Sequence, residues 1–236
     1  MKKIVFYLSV VILVVFCSKS GLVRQVINHL KYNIIGDPNE IVFGIDVSHY
    51  QGYIDWDKVS EKHPIEFVII RSTMGDDRKD RCYKKNMEKA RDRGFIVGSY
   101  HYYDPNENST KQAENFCNVA EVRTGDFRPV LDIENISSIQ SVTKLRKGLM
   151  NWINIVENKY GVKPIIYTGL SFYETHLEGY FDDCPLWIAA YSEHRRDEAK
   201  AHTDFIQFTE SINVSGIKGP VDGNDMTRGI ISSLLY

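Results

Sequence analysis

From residue 41 to the end of the chain, short apolar runs alternate with longer stretches of helical spacing, and this alternation restricts the possible folds. The runs are nearly continuous in apolar residues, as in parallel strands that are buried on both faces by helices. Seven or eight such units favour a closed barrel over an open sheet, so we predict an α/β fold of the irregular (β/α)8 type. The predicted strands are 41–47, 67–71, 95–101, 130–134, 164–168, 186–191 and 204–208, with a weak eighth at 214–222.

The helical stretches between these strands have recognisable ends. Ser109 is placed to cap the third helix, and Gly94 and Gly161 are placed to end the second and fourth. The connections 186–204 and 208–222 have little helical pattern, so we expect the barrel to be helix-poor toward its C-terminal end. The predicted helices are 54–62, 83–93, 109–122, 142–160 and 171–177.

The first 17 residues have the composition of an export signal. Met1-Lys2-Lys3 is basic, and residues 4–16 are apolar apart from Ser9, a run short for a transmembrane helix. Cys17 lies where a bacterial lipoprotein would be lipidated, but an uncleaved signal anchor fits the same residues. We therefore predict a signal peptide or anchor at 1–17, a tether at 18–40 and a folded domain at 41–236. The domain would be exported, and either tethered to the membrane in the cell envelope or secreted.

Charge and cysteine content exclude several classes of function. A formal net charge of −2 offers no general attraction for nucleic acid. Beyond Cys17, the cysteines are Cys82, Cys117 and Cys184, an odd number without the spacing of a zinc site. We expect free thiols, with a single Cys82–Cys117 bridge as the alternative. We also expect no metal, no other cofactor, a monomer, and membrane contact through the N-terminal segment only.

The run that begins at Val130 ends in two carboxylates, Asp132 and Glu134. At positions i and i+2 of a strand, they project to the same face. Two carboxyl groups in one site have pKa values that move apart, so that one can act as an acid while the other stays ionised. A strand end with two solvated acids would have the same spacing, so the spacing alone does not decide between these interpretations.

The carboxyl ends of the strands form the active site of a βα barrel, and these ends are rich here in acids and aromatic residues. Paired carboxylates among Tyr and Trp suit glycoside hydrolysis, which needs a proton donor and apolar surfaces for sugar rings. The residues at the predicted strand ends are Asp46, Arg71, Tyr100, His101, Tyr102, Asp132, Glu134, Tyr167, Trp187, Tyr191, Gln207 and Asp222.

Several motifs resemble glycoside hydrolase family 25, the Chalaropsis-type lysozymes, in the right order over about residues 41–230. Ile206-Gln207-Phe208 departs from the usual Trp-Gln-aromatic of that family. The matching motifs are Gly-Ile-Asp-Val-Ser-His-Tyr-Gln-Gly at 44–52, Ile-Asp-Trp at 54–56, Asp-Ile-Glu at 132–134, Pro-Ile-Ile-Tyr-Thr at 164–168, Leu-Trp-Ile-Ala-Ala-Tyr at 186–191 and Gly-Ile-Lys-Gly-Pro-Val-Asp at 216–222.

The resemblance implies an enzyme that cleaves the β-1,4 bond between N-acetylmuramic acid and N-acetylglucosamine in the glycan strands of peptidoglycan. Glu134 would be the general acid, and Asp132 would assist at the anomeric carbon by attacking it, by activating water or by orienting the substrate's acetamide. Asp46 and Asp222 would position the substrate and tune this pair, with Asp225 as the alternative to Asp222. The implied substrate-binding residues are Tyr100, Tyr102, Tyr167, Trp187, Tyr191, Gln207 and Arg71.

Two other functions fit part of the same pattern. A glycan-binding barrel without turnover would use the aromatic residues, and a hydrolase of chitin-like N-acetylglucosamine polymers would use the acids as well. The presence of all four acids favours an active enzyme. Instead of binding substrate, Arg71 would in an alternative, structural role neutralise the charge of the acids. We interpret His101 as a buried structural histidine and not as a catalyst.

Overall fold

The structure is a computed structural model that describes residues 37–62 and 64–236. Residues 1–17, and residues 18–36 of the predicted tether, lie outside the described residues, so the division of the chain into signal, tether and domain stays a prediction. Within the described ranges, no helix is long and apolar enough to cross a membrane.

Eight strands close into a barrel, which confirms the predicted fold class. Around the barrel the order is 1-2-4-5-6-7-8-9 in chain numbering, and the ninth strand returns to pair with the first. The third strand is a two-residue arm on the second and was not predicted. The strands are β1 (Ile41–Val47), β2 (Ile65–Met74), β3 (Arg78–Lys79), β4 (Ile96–Tyr102), β5 (Val130–Asp132), β6 (Ile165–Gly169), β7 (Leu186–Ala189), β8 (Phe205–Ile212) and β9 (Val221–Thr227).

Helices cover the outside of the barrel, and most of them begin and end where the sequence predicts. Asn108, not Ser109, caps the third helix, because its side chain accepts the N–H groups of Thr110 and Lys111. Gly161 ends the fourth helix in the left-handed conformation, with φ of 73°. The helices are α1 (Trp56–Lys62), α2 (Tyr83–Asp92), α3 (Ser109–Val119), α4 (Val142–Tyr160), α5 (Leu170–Phe172, continued by the π-helical turn Tyr173–Leu177), α6 (Glu193–Ala199) and α7 (Ile231–Leu234).

The C-terminal part is helix-poor, as predicted, but two of its details differ from the prediction. The connection between β7 and β8 contains the seven-residue helix α6, which the sequence pattern did not reveal. The last strand covers 221–227 instead of 214–222 and runs antiparallel to both β8 and β1. Gly216 and Gly219 have φ of 95° and 82°, so the stretch before β9 is a turn and not a strand. A hairpin therefore replaces the last helical crossover.

Inward-facing side chains change character along the barrel axis. At the N-terminal ends of the strands they are apolar, and three rings pack there: the edge-to-face contacts of Phe67 have centroid distances of 5.5 Å to Phe127 and 5.6 Å to Phe205. At the opposite end the inward positions are polar, beginning with Asp46 on β1. The barrel thus has an apolar floor and a polar mouth.

The two ends of the barrel chain meet at the floor, opposite the mouth. Ile41 pairs with Thr227. Next to this pair, buried Arg228 donates to the carboxylate of Glu40 at 2.7 Å and to that of Glu66 at 2.9 Å. Three cysteines are free, as predicted: Cys82 and Cys184 are buried and Cys117 is half-buried.

Candidate active site

Asp132 and Glu134 lie at the mouth of the barrel, on the side predicted from their spacing. β5 pairs Asp132 with Tyr102 of β4 and Tyr167 of β6. Ile133 is fully buried among the outer helices, so its two neighbours in the chain turn toward the barrel axis. Asp132 is buried, whereas Glu134 is exposed at the opening of the cleft.

A cleft of about 210 Å³ opens above the polar mouth. Ten of the eleven predicted site residues line it, and Tyr191 is the exception: it stands beside the cleft, 49% exposed. The lining residues are Asp46, Val47, Ser48, Tyr50, Gln51, Arg71, Tyr100, Tyr102, Asp132, Glu134, Tyr167, Trp187, Gln207 and Asp222.

A side-chain hydrogen bond between Asp132 and Glu134 acts on the pKa values of both groups. Burial raises the pKa of Asp132 well above its usual range, and the charge of Glu134 and this hydrogen bond raise it further. Partial desolvation also raises the pKa of Glu134, but the hydrogen bond from Asp132 lowers it. Of the pair, Asp132 is therefore the group whose protonated form burial favours more. Oδ1 of Asp132 is buried without a hydrogen-bond partner among the described residues.

A second carboxyl pair, Asp46 and Asp222, forms across the junction of β1 and β9. The two residues are cross-strand partners, and their side chains are hydrogen-bonded. Burial, followed by the charge of Asp222, raises the pKa of Asp46 well above its usual range. Side chains alternate along β9, so Asp222 and Asn224 face the barrel axis and Asp225 faces away. Asp222 lines the cleft and Asp225 does not.

Two side-chain amides hold Asp46 in place. Nε2 of Gln207 and Nδ2 of Asn224 both donate to Oδ2 of Asp46, each at 2.9 Å. The hydroxyls of Tyr167 and Tyr191 donate to Oε1 of Gln207, both at 2.8 Å. The five side chains of this network come from five strands or strand ends, so the barrel itself assembles it.

The comparisons with known proteins agree on one family. The model of the family described as "Glycosyl hydrolases family 25" matches residues 45–217 of this chain. The chain belongs to this family. The Escherichia coli K12 protein YegX is 37% identical over 187 residues, which cover 78% of this chain and 68% of YegX.

The family assignment also carries the enzyme class. The autolytic lysozyme of Clostridium acetobutylicum is 31% identical over 188 residues, covering 80% of this chain and 56% of that protein. The structure of a family 25 glycosyl hydrolase from Bacillus anthracis has a TM-score of 0.69 and 27% identity, covering 81% of this chain and 90% of that one. As a member of family 25, the protein is a glycoside hydrolase of the lysozyme type.

In this family 25 enzyme, Arg71 pairs with a carboxylate that the sequence analysis did not single out. The side chain of Asp80 is buried and accepts the Nε–H of Arg71 at 3.3 Å and the backbone N–H of His49 at 2.8 Å. The guanidinium also contacts Nδ1 of His49 and lies 5.3 Å from the ring of Tyr50. Arg71 is therefore held by Asp80. Its positive charge lowers the pKa of Asp132, but this effect is smaller than the opposing effects of burial and of the neighbouring carboxylates.

The sequence did not lead us to expect that the loop after β1 forms one wall of the cleft. Ser48 caps the 3-10 turn His49–Gln51 and forms a reciprocal capping box with Gln51. The turn is thereby fixed and presents Tyr50, which is 78% exposed, at the cleft rim. The Ser-x-x-Gln spacing was a usable signal for this turn.

His101 is a structural residue, as predicted. It is fully buried between Thr73 and Gln112, at 2.8 and 3.2 Å, and stacks on Trp152. Burial lowers its pKa to about 3, so it stays neutral. In the part of the chain that the structure describes, no group of three or more His, Cys, Asp or Glu side chains is arranged to hold a metal ion.

Proposed function

We propose that the protein is a muramidase, which hydrolyses the β-1,4 bond between N-acetylmuramic acid and N-acetylglucosamine in bacterial peptidoglycan. The observation that supports this most directly is the hydrogen-bonded Asp132–Glu134 pair at the mouth of a family 25 barrel. One member is buried and the other is open to the cleft, so the pair can hold a proton and also reach a substrate.

Glu134 is the general acid in this proposal. Sugar binding covers its open side and adds to the desolvation that already raises its pKa. At the same time, an amide N–H of the substrate would stabilise the ionised form of Asp132. Both changes favour a proton on Glu134 over one on Asp132, and Glu134 then protonates the leaving oxygen.

Asp132 acts through the acetamide of the substrate. Direct attack by a carboxylate requires a carboxyl separation of about 5–5.5 Å, and inversion by water requires about 6.5–9.5 Å. Catalysis through the substrate's own acetamide depends on neither of these separations. The buried, unpartnered Oδ1 of Asp132 is instead suited to accept an acetamide N–H, which orients the acetamide oxygen toward the anomeric carbon.

The test compares the purified protein with its Glu134→Gln variant on insoluble peptidoglycan. Release of reducing ends should fall by about 10²–10⁴-fold, the usual contribution of a general acid. Borohydride reduction should convert only N-acetylmuramic acid at the new ends, which identifies the bond. Glu178→Gln, an exposed substitution outside the cleft, is the matched control and should retain activity. Undiminished cleavage by Glu134→Gln would contradict the role of Glu134.

The same assays distinguish the two alternative functions. Binding to cell walls without release of reducing ends would indicate a glycan-binding barrel. Faster cleavage of chitooligosaccharides than of peptidoglycan would indicate a hydrolase of N-acetylglucosamine polymers. The muramidase proposal predicts the reverse preference.

We further propose that the protein is exported and held at the envelope by its N-terminal segment, on the basis of the basic start and apolar run at 1–16. Fatty-acid labelling of the wild type but not of Cys17→Ser would support lipidation, and membrane retention without label would support a signal anchor. Recovery from the cytoplasm would contradict export. We also propose a monomer, which sedimentation can check.

A further inference from the structure

Arg71 is the one basic side chain among the described residues that line the cleft, and four acids line the cleft with it. A guanidinium forms strong pairs with carboxylates, often through two parallel hydrogen bonds. Nevertheless, within residues 37–62 and 64–236 no ion pair joins Arg71 to any of these acids, and its ion-pair partner is Asp80, which does not line the cleft. The four acids are Asp46, Asp132, Glu134 and Asp222.

Asp80 is itself fixed by hydrogen bonds to the backbone. Its Oδ2 atom accepts the backbone N–H of His49 at 2.8 Å, and its Oδ1 atom accepts that of Cys82 at 2.9 Å. Its own backbone N–H donates to the carbonyl of Ser72 at 2.9 Å, and its side chain is only 1% exposed. Since none of these bonds involves Arg71, Asp80 is the fixed member of the pair and the guanidinium is the member that can move.

The other contacts of the guanidinium lie on the turn after β1. One terminal NH₂ group of Arg71 donates to Nδ1 of His49, and the guanidinium carbon lies 5.3 Å from the centroid of the Tyr50 ring. Both residues belong to the 3-10 turn His49–Gln51, whose backbone Asp80 also binds. Asp80 and the turn therefore hold the guanidinium together.

We propose that Asp80 is a positioning residue, which holds the guanidinium of Arg71 against the turn His49–Gln51 and so shields the acids of the cleft from its charge. Asp46 lies on the neighbouring strand β1, and Asp132 lies two strands away on β5, about 10 Å at the usual strand spacing. Both side chains line the same cleft as Arg71, so a released guanidinium can approach them.

A guanidinium that reached the acids would oppose the proposed chemistry. A nearby positive charge favours the ionised form of a carboxyl group, whereas a general acid must carry a proton before the reaction. Partial burial raises the pKa of Glu134, and the pairing of Arg71 with Asp80 leaves this effect in place. The purpose of the pair thus rests on the proposed function, but the position of the guanidinium rests on its contacts alone.

Ionisable groups face this part of the cleft from each neighbouring element. Asp80 can be altered without changing any residue that lines the cleft. Among the described residues, the groups that contact Arg71 or interact with it electrostatically are Asp80, His49, Tyr50, Tyr100 and Asp132, and those that interact with Asp132 are Glu134, Asp46, Arg71, Tyr100, Tyr102 and Tyr167.

Asp80→Asn tests the proposal, because it keeps the shape of the side chain and removes the charge that attracts Arg71. The titration midpoints of Asp132 and Glu134 can be followed by ¹³C NMR and assigned from the spectra of Asp132→Asn and Glu134→Gln. Both should fall by at least about half a pH unit, since an approaching positive charge favours the ionised carboxylates. The acid limb of kcat/KM should move to lower pH with them.

The double variant Asp80→Asn/Arg71→Gln shows whether the effect acts through Arg71. With no guanidinium left to approach the acids, the fall in the midpoints should disappear. Asp57→Asn removes an exposed carboxylate that pairs with Arg93, so it is the matched control and should leave the midpoints unchanged. Unchanged midpoints in folded Asp80→Asn, or a fall that persists in the double variant, would overturn the proposal.

A measurement on the wild type decides the matter if Asp80→Asn does not fold. The ¹⁵N resonance of the Arg71 Nε–H group, assigned from Arg71→Gln, should persist while the acids of the cleft titrate, because Asp80 is its partner. Loss of this resonance in step with those acids would contradict the proposal. Neither NMR experiment needs turnover, so an absence of hydrolysis would refute only the proposed function.

Discussion

Gly44 provides a strong test of how the barrel floor supports the site. It faces inward on β1, two residues before Asp46, and pairs with Asn224 across the junction with β9. A Cβ atom built on Gly44 would overlap three atoms of the Phe67 ring. That ring is fully buried between Phe127 and Phe205, so it has no free space into which it could move.

The expected magnitudes follow from this packing. Gly44→Ala should lower the free energy of unfolding by about 1–3 kcal/mol, the usual cost of an overpacked core. Phe67→Ala should lower it by about 3–5 kcal/mol through lost burial and a cavity. In the double variant the new methyl enters the space that the ring has left. The two losses should therefore not add, and the coupling should be about 1–3 kcal/mol in favour of the double variant.

Urea unfolding of the wild type, the two single variants and the double variant measures this coupling. If the two losses of unfolding free energy were additive, the Phe67 ring would not be what excludes a side chain at position 44. The contact between Gly44 and this ring would then not explain why position 44 is a glycine. Gly52→Ala is a useful contrast, because a Cβ there meets no atom within 4 Å and any cost comes only from its φ of 65°. Activity should fall more in Gly44→Ala than in Gly52→Ala, since Gly44 adjoins both Asp46 and Asn224.

Three further predictions follow from the site and its surroundings. Because burial raises the folded pKa of Asp132 above the unfolded value, wild-type stability should fall as the pH rises from the unfolded pKa, about 3.9, toward the folded one; Asp132→Asn should therefore gain stability over the wild type across this interval in thermal melts. Tyr50→Ala should raise KM for glycan strands about five- to tenfold with little change in kcat, since roughly 50 Å² of apolar contact is worth about 1.3 kcal/mol. Arg91→Ala should cost about 3–5 kcal/mol in chemical denaturation, because it leaves Asp126, 2.5 Å from Arg91 and buried, without its partner.

The proposed catalytic pair and most of the strands were predictable because both depend on local periodicity. Asp132 ends β5 and Glu134 follows two residues later, so continued alternation beyond the strand predicts their common face. The inward positions of Asp46, Tyr167 and Gln207 follow from the same alternation once a barrel is assumed. Local spacing therefore located the mouth of the barrel and most of its lining.

The reversal of the last strand was not predictable, because β9 has an unusual composition. Asp222, Gly223 and Asn224 disfavour a strand, whereas the apolar residues at 214–221 suggest one. Cross-strand pairing with β1 and β8 overrides these local preferences. Local sequence patterns do not report the pairing with β1 and β8 that stabilises β9.

The true partner of Trp187 was hidden for a related reason. Its indole donates to Asn224, which is 37 positions away in the sequence. Nothing in the local sequence distinguishes a tryptophan that binds sugar from one that orients an amide. Asp80 was missed in the same way, since its contact with Arg71 depends on the short β3 arm that turns the chain back onto β2.

The antiparallel course of β9 has a consequence for how the enzyme can be attached to other structures. Since Ile41 and Thr227 meet at the floor, any anchor or domain joined before β1 or after β9 is attached on the side away from the cleft. Fusions at either end therefore join the barrel at its floor and leave the mouth unobstructed. The hairpin turn at 213–220, by contrast, borders the mouth, so insertions there would reshape the glycan-binding wall without breaking the barrel.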